Sequence, residues 1–150
     1  MKKWSQSLAE QIQRNAVALI SLAIAVCSLS YNTWRNETSE HQRNLRHAAF
    51  EMVEHLERFQ SMVSAMVYAS PRRTELLFDA WGEAKALETL ATLMPAPASA
   101  ASKELIQVWD RHAHVVSGDD AAQARKSDEA VAAAVEQARL ALLEVILSLE

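Results

Sequence analysis

An acid and an imidazole recur four residues apart at Glu37/His41, Glu51/His55 and Asp110/His114. On a helix this spacing sets both groups on one face within mutual reach, which suits an ion pair and equally half of a metal site. A carboxylate-bridged di-iron bundle needs more. It takes Glu-x-x-His on two helices and a glutamate on each of two others, all directed inward. No Glu-x-x-His occurs. His47, Glu51 and His55 also fall off the apolar stripe of their segment, so surface ion pairs worth roughly a few tenths of a kcal/mol are expected instead of a metal site. His112 differs because it lies on an apolar stripe between Trp109 and Val116. It reads either as a buried histidine satisfied by a carbonyl or carboxylate, or as a pH- or ligand-sensitive group. Arg72-Arg73 beside Ser70 could meet an anion or an acidic partner, but two arginines at a helical turn are expected to be solvated. There is no Gly-rich phosphate loop, no Gly-x-Ser-x-Gly elbow and no Cys/His pair. With no nucleophile, base and oxyanion donor that can be placed together, the expectation is a protein that is not an enzyme and carries neither cofactor nor metal.

The elements that must carry these residues are helices. The chain has 150 residues, enough for one domain of ordinary size, and only two glycines and three prolines, too little turn chemistry for a sandwich or barrel. Its single cysteine, Cys27, excludes an intramolecular disulfide and a thiolate zinc site. A net charge of −4 gives no basic field for nucleic acid.

From Asn15 to Trp34 the chain carries no charge, and Ala16–Tyr31 within it is largely apolar. As a helix, this stretch spans about 30 Å, the thickness of a bilayer's hydrocarbon core. Tyr31 and Trp34 at one end and Trp4 near the other are amphipathic aromatics of the kind that favour the membrane interface. These features predict a tail over residues 1–14, a transmembrane helix over 15–34 and a folded body over 35–150. Two readings compete: a cleaved secretory signal ending near Ser28-Leu29-Ser30, and a lipoprotein acylated at Cys27. The long polar stretch before the apolar run disfavours the first, and Val26 is too bulky for the usual lipobox of the second. Lys2, Lys3 and Arg14 precede the span while Arg35, Arg43 and Arg46 follow it, so the basic count alone ties. A short basic tail before a first apolar segment is the pattern of an anchor with its amino terminus inside. The expected location is therefore a bacterial inner membrane, crossed once, with an acidic body in the periplasm.

Ala18, Ser21, Ala25, Ser28 and Asn32 recur at alternating spacings of three and four, a stripe of small or polar residues on a helix otherwise rich in Leu, Ile and Val. In lipid, small residues permit close backbone approach, and polar contacts add roughly 0.6–2 kcal/mol each. The stripe reads as a partner-facing seam, although small residues are common enough in membrane helices to line up by chance. Trp34, Arg35 and Glu37 just beyond it are the expected juxtamembrane contacts.

Four further apolar stripes follow. Leu45, Ala49, Met52, Leu56, Phe59, Val63 and Met66 keep an unbroken 4-3 register, and the polar stretch Arg35–Asn44 before them reads as a hinge or a solvated helical neck. Ser70-Pro71 reads as an N-cap and first helical residue, opening a second helix over 71–94 with Leu77, Ala80, Ala84, Leu87, Ala91 and Met94 inward. MPAPASAAS reads as a loop before a third helix from about Ser102 to Ser117, with Leu105, Trp109, His112 and Val116 inward and Gly118 as its C-terminal cap. Asp119 and Asp120 open the last helix, with Val131, Val135, Ala138, Leu142, Val145 and Leu149 inward. The expected fold is all-α: an N-terminal transmembrane helix continuing into an antiparallel bundle of four helices, or of three with the short third helix as a cap.

The segment Tyr31-Asn32-Thr33-Trp34-Arg35-Asn36-Glu37, followed by Arg43-Asn44, Arg46 and Ala48-Ala49-Phe50-Glu51, resembles uncharacterised single-span proteobacterial inner-membrane proteins over about residues 28–60. That resemblance implies topology and bacterial origin, not an activity. The expected function is a membrane-anchored interaction or accessory subunit, docking on a larger inner-membrane assembly or on copies of itself through its anchor and juxtamembrane helix. The alternative is an extracytoplasmic sensor module that signals through a partner, since antiparallel helical bundles on an anchor are similar to chemoreceptor ligand domains. The expected partners are a membrane protein or further copies, and the lipid bilayer, with no nucleic acid; a small-molecule ligand is left open.

Overall fold

A computed structural model describes residues 13–149, and within them the chain is helical without a strand. Four α-helices follow in order: α1 Ala16–Tyr68, α2 Leu77–Ala91, α3 Ala98–Val116 and α4 Ala121–Ser148. A 3-10 turn, Thr74–Leu76, leads into α2. The chain divides into two compact units, one ending at His41 and the other beginning at Gln42.

The described part of the first unit is helix whose side chains are exposed, apart from a half-covered Ala16. Val17, Leu19, Ile20, Leu22, Ile24, Val26 and Leu29 all face outward. This is the one described helix long and apolar enough to cross a membrane. The stretch expected to be a hinge or neck, residues 35–44, is helical and mostly exposed. Lys2, Lys3 and Trp4 lie outside the described residues.

The second unit is the bundle. Its core takes Ala49, Met52, Leu56, Phe59, Val63 and Met66 from α1, and Ala80, Ala84, Leu87 and Ala91 from α2. Leu105, Trp109 and Val116 come from α3, and Val131, Ala138 and Leu142 from α4. Trp109 is fully covered, with Phe59 edge-on at a centroid distance of 5.0 Å and Trp81 tilted at 5.7 Å. One indole thus joins α1, α2 and α3. Connections of a few residues force chain neighbours to run antiparallel. Arg46, near the start of the bundle's part of α1, donates to the carbonyl of Leu149 at the end of α4 (2.9 Å), as an up-down-up-down course requires.

Several boundaries depart from the sequence expectations. The second helix begins at Leu77 after its 3-10 turn, not at Pro71, and Ser70 caps nothing. Arg72 reaches back to carbonyls of other elements and ties residues 71–73 into the connection, so helix geometry starts only beyond it. The third helix begins at Ala98 inside the expected loop. Pro95 and Pro97 stand ahead of its first free N–H groups, and Ala98, Ala100 and Ala101 are strong helix formers. It is therefore a full bundle member of 19 residues and not a cap, which settles four helices over three. Ala113 takes the buried place expected for His112. Gly118 has no positive φ, and Ser117 caps α3 instead. A Cβ at Gly118 would still meet the His114 carbonyl at 3.2 Å, so the close approach, not a left-handed turn, suits glycine there. Asp120 caps α4 as its position implies, accepting from the backbone N–H groups of Ala122 and Gln123 at 2.9 and 3.1 Å.

Candidate functional site

The residues proposed to meet a partner all lie on α1. Ala18, Ser21, Ala25, Ser28 and Asn32 are exposed and, by helix geometry, share one face. The Ser21 hydroxyl donates to the Val17 carbonyl at 2.8 Å, and Thr33 and Thr38 donate to the carbonyls of Leu29 and Trp34 in the same way. A hydroxyl proton used within its own helix is not offered to a neighbour, so Ser21 contributes mainly small size. Tyr31 and Trp34 stand beside one another with ring centroids 6.2 Å apart. Arg35 is one heptad past Ser28 and continues the seam. Glu37, two positions on, points to the opposite side of the helix. Both are exposed. The seam residues and Arg35 therefore share one face of α1, while Trp34 and Glu37 lie on the opposite side.

Within the bundle the imidazoles behave differently from their sequence spacing. Glu51 faces His47 (3.6 Å), not His55. His55 lies half-buried on the α1–α2 boundary, its Nδ1 against Glu83 Oε2 at 2.5 Å, with Arg58 near the same carboxylate at 3.8 Å and paired with Glu54 at 2.7 Å. The expectation that His55 faces water is thereby corrected, because a carboxylate on α2 draws it inward. Glu37/His41 and Asp110/His114 form no ion pair among the described residues. His112 is half-buried, and its Nδ1 meets the Ser127 hydroxyl at 3.1 Å, a polar contact to α4 and not to a carbonyl or carboxylate. No group of three or more metal-ligating side chains occurs among the described residues.

Arg72 carries the largest departure from expectation. Its Nε donates to the Met66 carbonyl at 2.7 Å, Nη1 to Gly118 at 2.6 Å and Nη2 to Val116 at 2.6 Å. The last carbonyls of a helix lack intrahelical donors and carry the negative end of its dipole, so one guanidinium here closes the ends of α1 and α3 together. Arg73, by contrast, pairs only with exposed Glu75. Near Arg72's end of the bundle, Asp128 is buried with Oδ1 unpartnered. The Asp128 carboxylate, as hydrogen-bond partner and negative charge, holds the Tyr68 phenol above its ordinary value. Only the two-arginine motif hints at this cluster, because two of the three acceptors of Arg72 lie more than forty residues away.

A groove of about 610 Å³ runs between α1 and α4. Glu57, Gln60 and Ser64 line one side and Ala132, Glu136 and Arg139 the other. Arg139 forks onto Glu136 through Nε and Nη2 at 2.8 and 2.7 Å, which holds the Glu136 carboxyl below its usual value. Glu57 lies within the field of the same guanidinium.

Together these features define an all-α helical bundle preceded by an exposed apolar helix. Comparison with known proteins gives no match to a family model, a curated protein or a solved structure.

Proposed function

We propose that this chain is a membrane-anchored interaction or accessory subunit. Its apolar helix crosses a bacterial inner membrane once, with the bundle on the periplasmic side, and the seam from Ala18 to Asn32 with Arg35 docks on a larger assembly or on further copies. One observation carries this reading: every large apolar side chain described in residues 17–34 is exposed, whereas the bundle closes a complete core of its own. An exposed apolar surface on that scale needs lipid or a partner to cover it. The resemblance of residues 28–60 to single-span proteobacterial inner-membrane proteins points the same way. Lys2 and Lys3 ahead of the apolar run agree with an inside amino terminus.

The test is gentle detergent extraction of the native chain, followed by mass spectrometry of whatever accompanies it, beside a Ser21→Leu/Ala25→Leu variant. Added bulk on the seam without added polarity leaves insertion intact. The expected result is chain that resists carbonate extraction in both forms, with the accompanying protein or further copies lost from the variant. Release of native chain by carbonate, or equal association in both forms, would contradict the reading.

A further inference from the structure

The bundle exposes seven large apolar side chains, and four of them belong to α1 and α4: Phe50 (57%), Leu143 (38%) and Leu147 (66%) near the end joined by Arg46 and Leu149, and Leu140 (55%) further along beside Arg139. Phe50 lies one heptad before Glu57 and Leu143 one heptad after Glu136, so both extend the faces that line the α1–α4 groove. Along this face the chemistry is graded. The Arg46–Leu149 end is apolar, and some 10 Å further along, at seven residues of helix rise, Glu57 on α1 stands level with Arg139 on α4.

We propose that this face pairs with the same face of a second copy of the chain, about a two-fold axis running alongside α1 and α4. Such an axis sets α1 of one protomer against α4 of its partner at equal levels, because rotation by half a turn exchanges left and right but not height. Phe50 then meets the partner's Leu143 and the partner's Leu147, and Glu57 meets the partner's Arg139. The apolar end is covered twice over, and Glu57 meets the edge of the partner's Arg139 that the fork onto Glu136 leaves open, Nη1. This self-complementarity selects a second copy over an unrelated helix. The pairing rests on the proposed anchoring, since a shared bilayer concentrates copies of the chain.

The full chain in lipid nanodiscs or mild detergent, carrying donor or acceptor labels, tests this by energy transfer between copies. Native chain is expected to pair. Glu57→Arg sets arginine against arginine at both sites of a homodimer, and Arg139→Glu sets glutamate against glutamate. Each variant alone should lose at least about tenfold in affinity. An equimolar mixture of the two variants restores opposite charges at both sites and should recover the native signal, a result that a merely structural role for either residue does not produce. Both positions are exposed, and unchanged helical content verifies folding. Monomeric native chain, undiminished pairing of either variant, a mixture that fails to recover, or a different protein covering this face would each overturn the proposal. Carbonate extraction of the same membranes reads the anchoring separately: retained but unpaired chain rejects the pairing alone, and released chain rejects the anchoring.

Discussion

Two stretches of the same helix put apolar residues to opposite uses. In residues 17–34 of α1 the large apolar side chains fall on every side but the seam of small residues, and Leu19, Ile20, Leu22 and Ile24 are between 47% and 61% exposed. In residues 45–67 most of them fall on one stripe, with Phe50 exposed beside it, and Met52, Phe59, Val63 and Met66 are completely covered. A single stripe flanked by Glu51, Glu54, Glu57 and Arg58 can be satisfied by neighbouring helices in water. A helix apolar on nearly every side has little polar surface to present to water, and lipid or another apolar surface must meet it. Stability of the fold therefore resides in the second stretch, and the apolar surface left to be covered in the first.

The largest effect that should separate the two comes from matched truncations. Trp109→Ala removes the indole that touches Phe59 and Trp81, and should cost about 3–5 kcal/mol in thermal or urea unfolding of the bundle. Leu56→Ala should cost about 2–5 kcal/mol, while Leu22→Ala, the same chemical change on the exposed stretch, should leave bundle unfolding unchanged. A comparable loss from Leu22→Ala would mean that the apolar stretch belongs to the core, and the contrast would be broken.

The contrast itself is legible in the amino-acid sequence. The 4-3 register of Ala49 through Met66 and of Val131 through Val145 marks the buried stripes correctly, because core helices must repeat near 3.5 residues to keep facing their neighbours. Less is legible where packing competes between adjacent residues. His112 and Ala113 are 100° apart on α3, and the smaller residue takes the core position. Periodicity carries no information about pairs distant in sequence, so it cannot show that Arg72 spans to Val116 and Gly118, or that Glu83 draws His55 away from Glu51. The seam residues Ala18, Ser21, Ala25, Ser28 and Asn32 are readable as one face, but the back-bonding of Ser21 onto Val17 is not, since a hydroxyl's partner depends on its rotamer.

The guanidinium of Arg72 sharpens the comparison from within the bundle. It serves the carbonyl ends of α1 and α3, far in sequence from the apolar stretch, so Arg72→Ala should lower bundle stability by about 2–3 kcal/mol and leave membrane retention intact. Arg72→Lys keeps the charge but not the three-way fork, and should recover less than half of that loss. If the lysine variant matched the native chain, the carbonyls would need only a nearby positive charge, and the geometric account of the connection between α1 and α2 would have to be abandoned.

The smallest expected effect bears on what exposure means in the two regions. Gly82 is an exposed interior position of α2, and a Cβ built there meets nothing within 4 Å. Its φ is not positive, so no conformational need requires glycine. In water, alanine has a higher helix propensity than glycine and leaves the unfolded chain less freedom, and Gly82→Ala should therefore stabilise the bundle by about 0.5–1 kcal/mol. Val17 is still more exposed, at 80%, yet Val17→Ala should leave bundle unfolding unaltered and instead weaken membrane retention, because there the surroundings reward apolar area more than helix propensity. Chemical denaturation read by circular dichroism and carbonate extraction of the same variants measure the two sides. A destabilised Gly82→Ala would show that this face of α2 is covered by something the isolated chain lacks, and would add α2 to the surfaces that meet a neighbour.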